Sequence, residues 1–304
     1  MGEAAPEAGT AQDERAARQV EQWGSDPWAT MPWPAPPPPA SQNGGSSGSS
    51  GLGSNGSSFT ESPGRPGREP SATSQDRPVL PAHAAWWAAV GGLVGLVLGG
   101  IGAAIGQSIT GSSTSALSDL LGEAGLWSAM LATVVLVSRR YGTGSLRRDY
   151  GLAIKRIDVL WGICAWLAAL LVSALVLEIF SGTKFAGSND QILTQQKGHE
   201  AGVVVVSLIV ALGAPFFEEL FFRGFLRTAL QARFGGHGAV WLQAVFFGLA
   251  HTGEAGTTLG NVSVVLAMFL VGVVLGYTAK LTGRLGAGMI AHGLFNLVAV
   301  VSVL

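Results

Sequence analysis

The sequence predicts an all-α fold, namely a polytopic transmembrane helix bundle of about seven spans with a disordered N-terminal tail. An eighth span is the alternative count. The 304 residues are 48% hydrophobic and only 12% charged, with a mean hydropathy of +0.40, which is too apolar for an ordinary soluble enzyme. From Ala84 onward the apolar residues form runs close to the ~20 residues that a helix needs to cross a bilayer. All of the low-complexity sequence precedes these runs.

Residues 1–80 predict the disordered tail. They contain a proline run at 34–39 and a Gly/Ser tract from Gly44 to Ser58. Such a segment cannot bury enough apolar surface to offset its ordering entropy. The GxSxG and GxGxxG patterns in this tract arise by chance in Gly/Ser-rich sequence, since neither follows a predicted strand. The remaining chain divides into N-terminal transmembrane helices at 84–200 and a membrane core at 201–304.

The apolar runs define the spans in chain order. The first begins at Trp86 and Trp87, a pair that fits either an interfacial anchor or plain apolar helix surface. The fifth is short, and only Thr252-Gly253-Glu254 marks its end, which leaves the count open by one. The predicted spans are Trp86–Gln107, Leu120–Ser138, Val159–Phe180, Gly202–Arg227, Ala239–His251, Val262–Ala279 and Leu285–Leu304.

The loop charges predict the orientation, because Lys and Arg are retained on the cytoplasmic side of a membrane. The loops after the second, fourth and sixth spans are rich in Arg and Lys, whereas the alternate loops carry only Lys184 and Lys197. The tail is therefore predicted to be cytoplasmic. We expect an integral protein of a bacterial plasma membrane, because the composition is high in Gly and Ala and almost free of Lys.

Net charge and cysteine content exclude other classes. A net charge of −1 and a pI near 6.5 argue against nucleic-acid binding, since no basic stripe is present to neutralise phosphates. Partners are therefore expected in the membrane, as lipid and as a membrane-associated peptide or protein. The single cysteine, Cys164, can form no internal disulfide and is interpreted as a small apolar filler in a helix, a use typical of buried cysteine.

Charged residues interrupt the fourth span, where lipid makes each charge costly. Glu218, Glu219 and Arg223 lie among five phenylalanines. Glu219 and Arg223 are four residues apart and are expected to pair on one helix face. Glu218 points elsewhere and has no cation nearby in sequence, which suits a carboxylate that handles a proton. The alternative is a buried network that only orients helices.

Two later spans supply further polar residues. His251 ends the fifth span, where an interfacial histidine is the simpler interpretation. His292 and Asn296 are four apart on one face of the seventh span, which favours a functional pair; the alternative is a pair that only forms interhelical hydrogen bonds. Because the first three spans offer no comparable set, we expect these residues to converge with Glu218 on one buried cavity.

The order and spacing of these motifs resemble a known family. Glu218-Glu219-xxx-Arg223, Phe247-xxx-His251 and His292-xxx-Asn296 are similar to the motifs of the type II CAAX prenyl endopeptidases and of their bacterial relatives, the CAAX protease and bacteriocin-processing (CPBP, or abortive-infection) family. The resemblance covers residues 200 to 300. It implies an intramembrane endopeptidase.

The resemblance also implies roles for these residues. Glu218 would be the general base that activates water, and His251 would help to hold that water. His292 and Asn296 would stabilise the tetrahedral oxyanion, while Glu219 and Arg223 would order the site. Donors aimed at developing negative charge are the largest usual contribution to acyl-transfer catalysis.

Metal dependence and substrate stay open at this point. The family is often labelled a metalloprotease, and Glu218, His251 and His292 could hold zinc with water as a fourth ligand, yet no HExxH motif is present. His199-Glu200 begins that pattern, but Val203 stands where its second histidine would be. A glutamate mechanism without metal is slightly favoured.

Two other classes compete with a protease. A non-catalytic scaffold or bacteriocin-immunity factor would use the same cavity to bind a peptide or lipid, although the motifs are complete. A proton- or ion-coupled transporter would also carry intramembrane carboxylates, but the first half of the chain shows no repeat of the polar spans. A prenylated substrate is not expected in a bacterium, so a small membrane peptide or bacteriocin-like precursor is preferred.

Overall fold

The computed structural model describes residues 80–180, 195–196, 200–255 and 257–303, and within these ranges all the regular structure is helical. The predicted all-α fold is confirmed. Residues 1–79 of the predicted tail lie outside the described residues, as do Lys184, Lys197 and His199. The tail, the domain division and the orientation therefore stay predictions.

The helices from Trp86 to Ile179, and those from Glu200 to Val303, follow one another with short connections. A 3-10 turn at Ala82–Ala85 leads into the first long helix. The regular helices are α1 (Trp86–Thr110), α2 (Ala116–Tyr141), α3 (Leu146–Tyr150), α4 (Asp158–Ile179), α5 (Glu200–Leu208), α6 (Ala214–Glu218), α7 (Arg227–Ala250), α8 (Thr258–Thr282) and α9 (Gly286–Val303). Two wider, π-helical segments flank α6, the first at Ile209–Gly213 and the second at Glu219–Leu226.

The predicted spans correspond to helices, with one difference. In the described residues, five helical runs are long and apolar enough to cross a membrane, and Gly286–Val301 is a shorter apolar helix. One run, Ala201–Ala250, has 50 residues and contains both the fourth and the fifth predicted spans. Gly235 separates these two spans with φ of 66° and ψ of 175°, inside α7. Glycine adopts this positive φ without the steric cost that a Cβ would add.

Glycines allow α1 and α2 to pack closely. A Cβ placed on Gly102 would collide with the backbone of Leu121, and one on Gly125 would collide with the backbone of Leu98. Small residues at such an interface permit the backbone approach on which helix association in membranes depends. The two helices therefore form a tight hairpin.

A partly buried ion pair fixes the start of α9 against the start of α4. The Nε of Arg284 donates to Oδ1 and Oδ2 of Asp158 at 2.6 and 2.9 Å. The next amide, that of Leu285, donates to the carbonyl of Gly151 at 2.9 Å. Since α9 carries His292 and Asn296, this clamp holds that helix in register with the N-terminal half.

The short helix α3 packs against the second π-helical segment. Tyr150 donates from its hydroxyl to the carbonyl of Val134 at 3.3 Å, and its ring meets Phe225 edge-on at 6.1 Å. Burial, and then the neighbouring charge of Asp149, raise the pKa of the Tyr150 hydroxyl. The hydroxyl therefore keeps its proton and remains a donor.

Cys164 lies on α4, as predicted, but its side chain is exposed rather than buried. Its neighbours Trp161, Ile163 and Leu167 are also exposed large hydrophobic residues. Exposed apolar side chains on a membrane-spanning helix face the lipid. The interpretation of Cys164 as a buried filler was wrong because sequence alone does not show which side of an entirely apolar helix packs inward.

Candidate active site

The polar site lies where the helical run is irregular. Glu218 is the last residue of α6, and Glu219 is the first residue of the second π-helical segment. Pro215 stands near the start of α6, where it lacks an amide hydrogen and its ring crowds the carbonyl four residues earlier. The wider turn of the first π-helical segment accommodates this residue. Such π-helical turns occur frequently at functional sites.

Both glutamates reach the ring of His292 from opposite sides. The Nδ1 of His292 lies 3.3 Å from Oε1 of Glu219, to which its N–H donates. The Nε2 lies 3.9 Å from Oε2 of Glu218, beyond direct hydrogen-bond distance. His292 and Glu219 are buried, whereas the Glu218 side chain keeps 22% of its exposure. The residue predicted as base is therefore the more accessible of the two acids.

Arg223 pairs with Glu219. Its Nη1 lies 3.1 Å from Oε1 of Glu219, and both side chains are fully buried. Its guanidinium also lies over the ring of Phe247, 3.9 Å from the centroid. The pairing that the spacing of four predicted is present, and the cation–π contact adds a second partner for the buried charge.

Phe247 connects the two histidines. Its ring lies 4.6 Å from that of His251 and 6.0 Å from that of His292, measured between centroids. His251 follows the last residue of α7, and its Nδ1 donates to the carbonyl of Phe247 at 2.7 Å. This bond leaves Nε2 of His251 as the acceptor nitrogen.

Asn296 also lies in this region, but its amide already has a partner. Its Nδ2 donates to the carbonyl of Val210 in the first π-helical segment at 2.8 Å. An amide nitrogen carries two hydrogens, so one is engaged by this bond. The structure thus brings Glu218, Glu219 and His292 into one cluster and places Asn296 against the backbone of the neighbouring helix.

Two residues of α2 adjoin the site and were missed in the sequence. The side chains of Glu123 and Glu254 lie within electrostatic range of Glu218. Trp127 stacks on Phe217, the neighbour of Glu218, with centroids 4.7 Å apart and an interplanar angle of 16°. One of the first three spans therefore adjoins the site, whereas the sequence prediction concerned only their lack of a comparable polar set. A signal was present, because Asp119 and Glu123 are four apart within an apolar helix.

Glu218, His251 and His292, the candidate zinc ligands, are not arranged as a group that could hold a metal ion. Within the described ranges no three His, Cys, Asp or Glu side chains are arranged so that they could hold a metal ion. His251 donates its Nδ1 hydrogen to its own helix, and the ring of Phe247 contacts both histidines. Dependence on a metal ion is neither shown nor excluded by these contacts, and it stays open as it was from the sequence.

An apolar groove of about 680 Å³ runs beside the site, between the α5–α6 region and α9. Its walls near the glutamates are Ala211, Pro215, Met289 and Gly293. From there it continues along the two helices to Val203 and Val300. Met289 and Gly293 come shortly before and directly after His292 in sequence, so the groove runs close to the polar cluster.

The described residues thus form a helical bundle with a buried acid–histidine cluster and an apolar groove beside it. Residues 200–298 match the family model described as type II CAAX prenyl endopeptidase Rce1-like. The chain therefore carries an Rce1-like domain from α5 to α9, and the resemblance seen in the motifs is confirmed. The family indicates a protease that is integral to the membrane. No curated protein and no solved structure matches the chain.

Proposed function

We propose that the protein is an intramembrane endopeptidase that hydrolyses peptide bonds of a membrane-associated peptide or protein by a glutamate-activated water. The observation that supports this most is the placement of Glu218 and Glu219 on either side of the His292 ring. One acid is partly accessible and the other is buried against Arg223. Two carboxylates in such different surroundings are suited to different roles.

Glu218 is the general base in this mechanism. It accepts one proton from a water molecule, and Nε2 of His251 accepts a hydrogen bond from the other hydrogen. The water oxygen adds to the carbonyl carbon of the scissile bond, whose oxygen becomes an oxyanion. When the C–N bond breaks, Glu218 gives its proton to the leaving nitrogen. The products are a carboxyl group and an amine.

His292 stabilises the oxyanion. Glu219 accepts from Nδ1 and compensates the positive charge of the imidazolium, so that a proton on Nε2 is available to the oxyanion. Arg223 and Phe247 hold Glu219 in place through the ion pair and the cation–π contact. Asn296 is the predicted second donor, with the one amide hydrogen that Val210 does not engage.

The groove between α5–α6 and α9 admits the substrate from the lipid. Its apolar walls suit an apolar segment, and Pro215 in its wall precedes Glu218 by three residues. Membrane lipid and a membrane-associated peptide are therefore the proposed partners. No step is assigned to zinc, and chelation tests that assignment separately.

Cleavage of a membrane-peptide library by the purified, detergent-solubilised protein tests this proposal. We expect Glu218→Gln and His292→Ala to abolish cleavage while leaving the protein folded. The matched controls are Glu178→Gln, at an exposed glutamate of α4, and His237→Ala, at a histidine bonded to Tyr277. Loss on adding a zinc chelator would establish a metalloprotease. If wild type cleaves no more than the two folded site variants do, catalysis at this site is refuted and the scaffold or immunity-factor interpretation is favoured.

A further inference from the structure

The carbonyl of Val210 lies at a break in the helical hydrogen bonding. In the first π-helical segment the amide of Ala214 donates to the carbonyl of Ile209, five residues earlier. That bond removes the donor that Val210 would have in an α-helix. In the π register the donor for Val210 would be residue 215, which is a proline and has no amide hydrogen. Neither register provides Val210 with its usual backbone donor.

A buried carbonyl without a partner is costly, and most costly in a membrane, where no bulk water replaces the missing donor. Side chains of neighbouring helices often satisfy the backbone groups that a proline frees in a transmembrane helix. Val210 is buried, with 4% of its surface exposed. The fold therefore requires a donor from another element at this position.

Helix α9 supplies that donor. The Nδ2 of Asn296 lies 2.8 Å from the Val210 carbonyl oxygen, and Asn296 is itself buried. The approach depends on Gly293, one turn earlier, since a Cβ there would lie 3.0 Å from the carbonyl oxygen of Ala211 and 3.9 Å from Cγ of Pro215. The two helices thus meet closely at the proline break.

We propose that Asn296 is a positioning residue that provides the hydrogen bond which Pro215 cannot, and thereby holds the turn before Glu218 in register with His292. Glu218 and His292 come from the two helices that this bond joins. His292 is one turn before Asn296, and Glu218 is about two turns after Val210. The bond therefore fixes the separation of base and imidazole from a short distance away.

The expected effect on kcat rests on the proposed function, whereas the hydrogen bond from Asn296 to Val210 does not. Asn296→Leu, which keeps the branched shape and removes the donor, is made both in the natural sequence and together with Pro215→Ala. Alanine restores an amide hydrogen at position 215. In the natural background we expect the folded-to-unfolded ratio in detergent to fall about tenfold, with a comparable loss in kcat. In the Pro215→Ala background we expect the loss of stability to shrink to less than about threefold. The loss in kcat should also become smaller there, with only the contribution of the oxyanion donor remaining.

The alternative role gives a different pattern. If Asn296 acts only on the oxyanion, Asn296→Leu lowers kcat equally in both backgrounds and leaves the unfolding transition unchanged, which would overturn the proposal. An equal loss of stability in both backgrounds would overturn it too, because the bond would then be independent of the proline. If wild type cleaves no peptide, the proposed function fails while the unfolding measurements still decide whether the bond compensates for Pro215.

A spectroscopic measurement keeps the proposal testable if Pro215→Ala does not fold. The carbonyl of Val210 is labelled with carbon-13, and its infrared band is compared between wild type, Asn296→Leu and Gly293→Ala. We expect the band to move to higher frequency in both variants, because Leu removes the donor and the added Cβ pushes α9 away. A band that does not move in Asn296→Leu would overturn the proposal.

Discussion

The ion pair between Glu219 and Arg223 should be essential for stability, and this prediction follows from its burial. The Nη1 and Oε1 atoms are 3.1 Å apart, and neither side chain is exposed. At an effective dielectric constant of ~20, unit charges at this separation attract by about 5 kcal/mol. Removing one partner leaves the other buried and uncompensated, at a cost of about 3–5 kcal/mol. We therefore expect Arg223→Met to lower the free energy of unfolding by about 3–5 kcal/mol.

A second substitution separates stability from catalysis. Adding Glu219→Gln removes the stranded charge, so the double variant should recover most of the free energy of unfolding. Cleavage should stay low, because a neutral amide cannot compensate an imidazolium at His292. Denaturation in mixed detergent, with cleavage rates measured in parallel, tests both expectations, and Glu178→Gln is the matched control at an exposed position.

The reasoning is refuted if the double variant is as unstable as Arg223→Met. The cost of that change would then arise from lost packing of the guanidinium on Phe247, not from a stranded carboxylate. Full cleavage by the double variant would instead refute the role of Glu219 in supporting His292.

Asp158→Asn should lower the free energy of unfolding by about 1.5–3 kcal/mol, because it weakens the charge-assisted bonds from Arg284 that clamp α9; an unchanged denaturation midpoint would contradict this. Trp127→Ala should cost about 3–5 kcal/mol and reduce kcat, whereas Trp127→Phe should retain most activity; equal kcat for the two would argue against a role for the ring. Gly102→Val should loosen the α1–α2 hairpin and lower the thermal unfolding midpoint, while Gly100→Val, with no atom within 4 Å of its Cβ position, should not; equal midpoints would refute the packing argument.

The fold and the main polar contacts follow from patterns that are local in sequence. Apolar runs give the helices, because the bilayer sets their length. A spacing of four gives the Glu219–Arg223 pair, since residues four apart share a helix face. These inferences need only the helical period and the cost of burying charge.

The two π-helical segments and the approach of α2 to the site could not be predicted from local sequence patterns. The two π-helical segments depart from the period on which the sequence argument relied, although Pro215 marks where the first becomes necessary. Glu123 and Trp127 approach Glu218 only through the packing of α2 on the later helices, which has no local signature. The partner of Asn296 is also a backbone carbonyl, and composition gives no indication of it.

The ion pair between Asp158 and Arg284 shows that the segment matched by the family model is smaller than the unit that folds together. The segment recognisable by family begins at residue 200, yet the start of α9 is tied to residues 151 and 158, and Trp127 covers Gly213 in the run that carries Glu218. The boundary of the family match at residue 200 is therefore not a boundary of the packed structure. A shortened chain that begins at residue 200 would keep every motif and lose the scaffolding that orients them, so grafting the motif-bearing half into another protein would transfer its signature without its geometry.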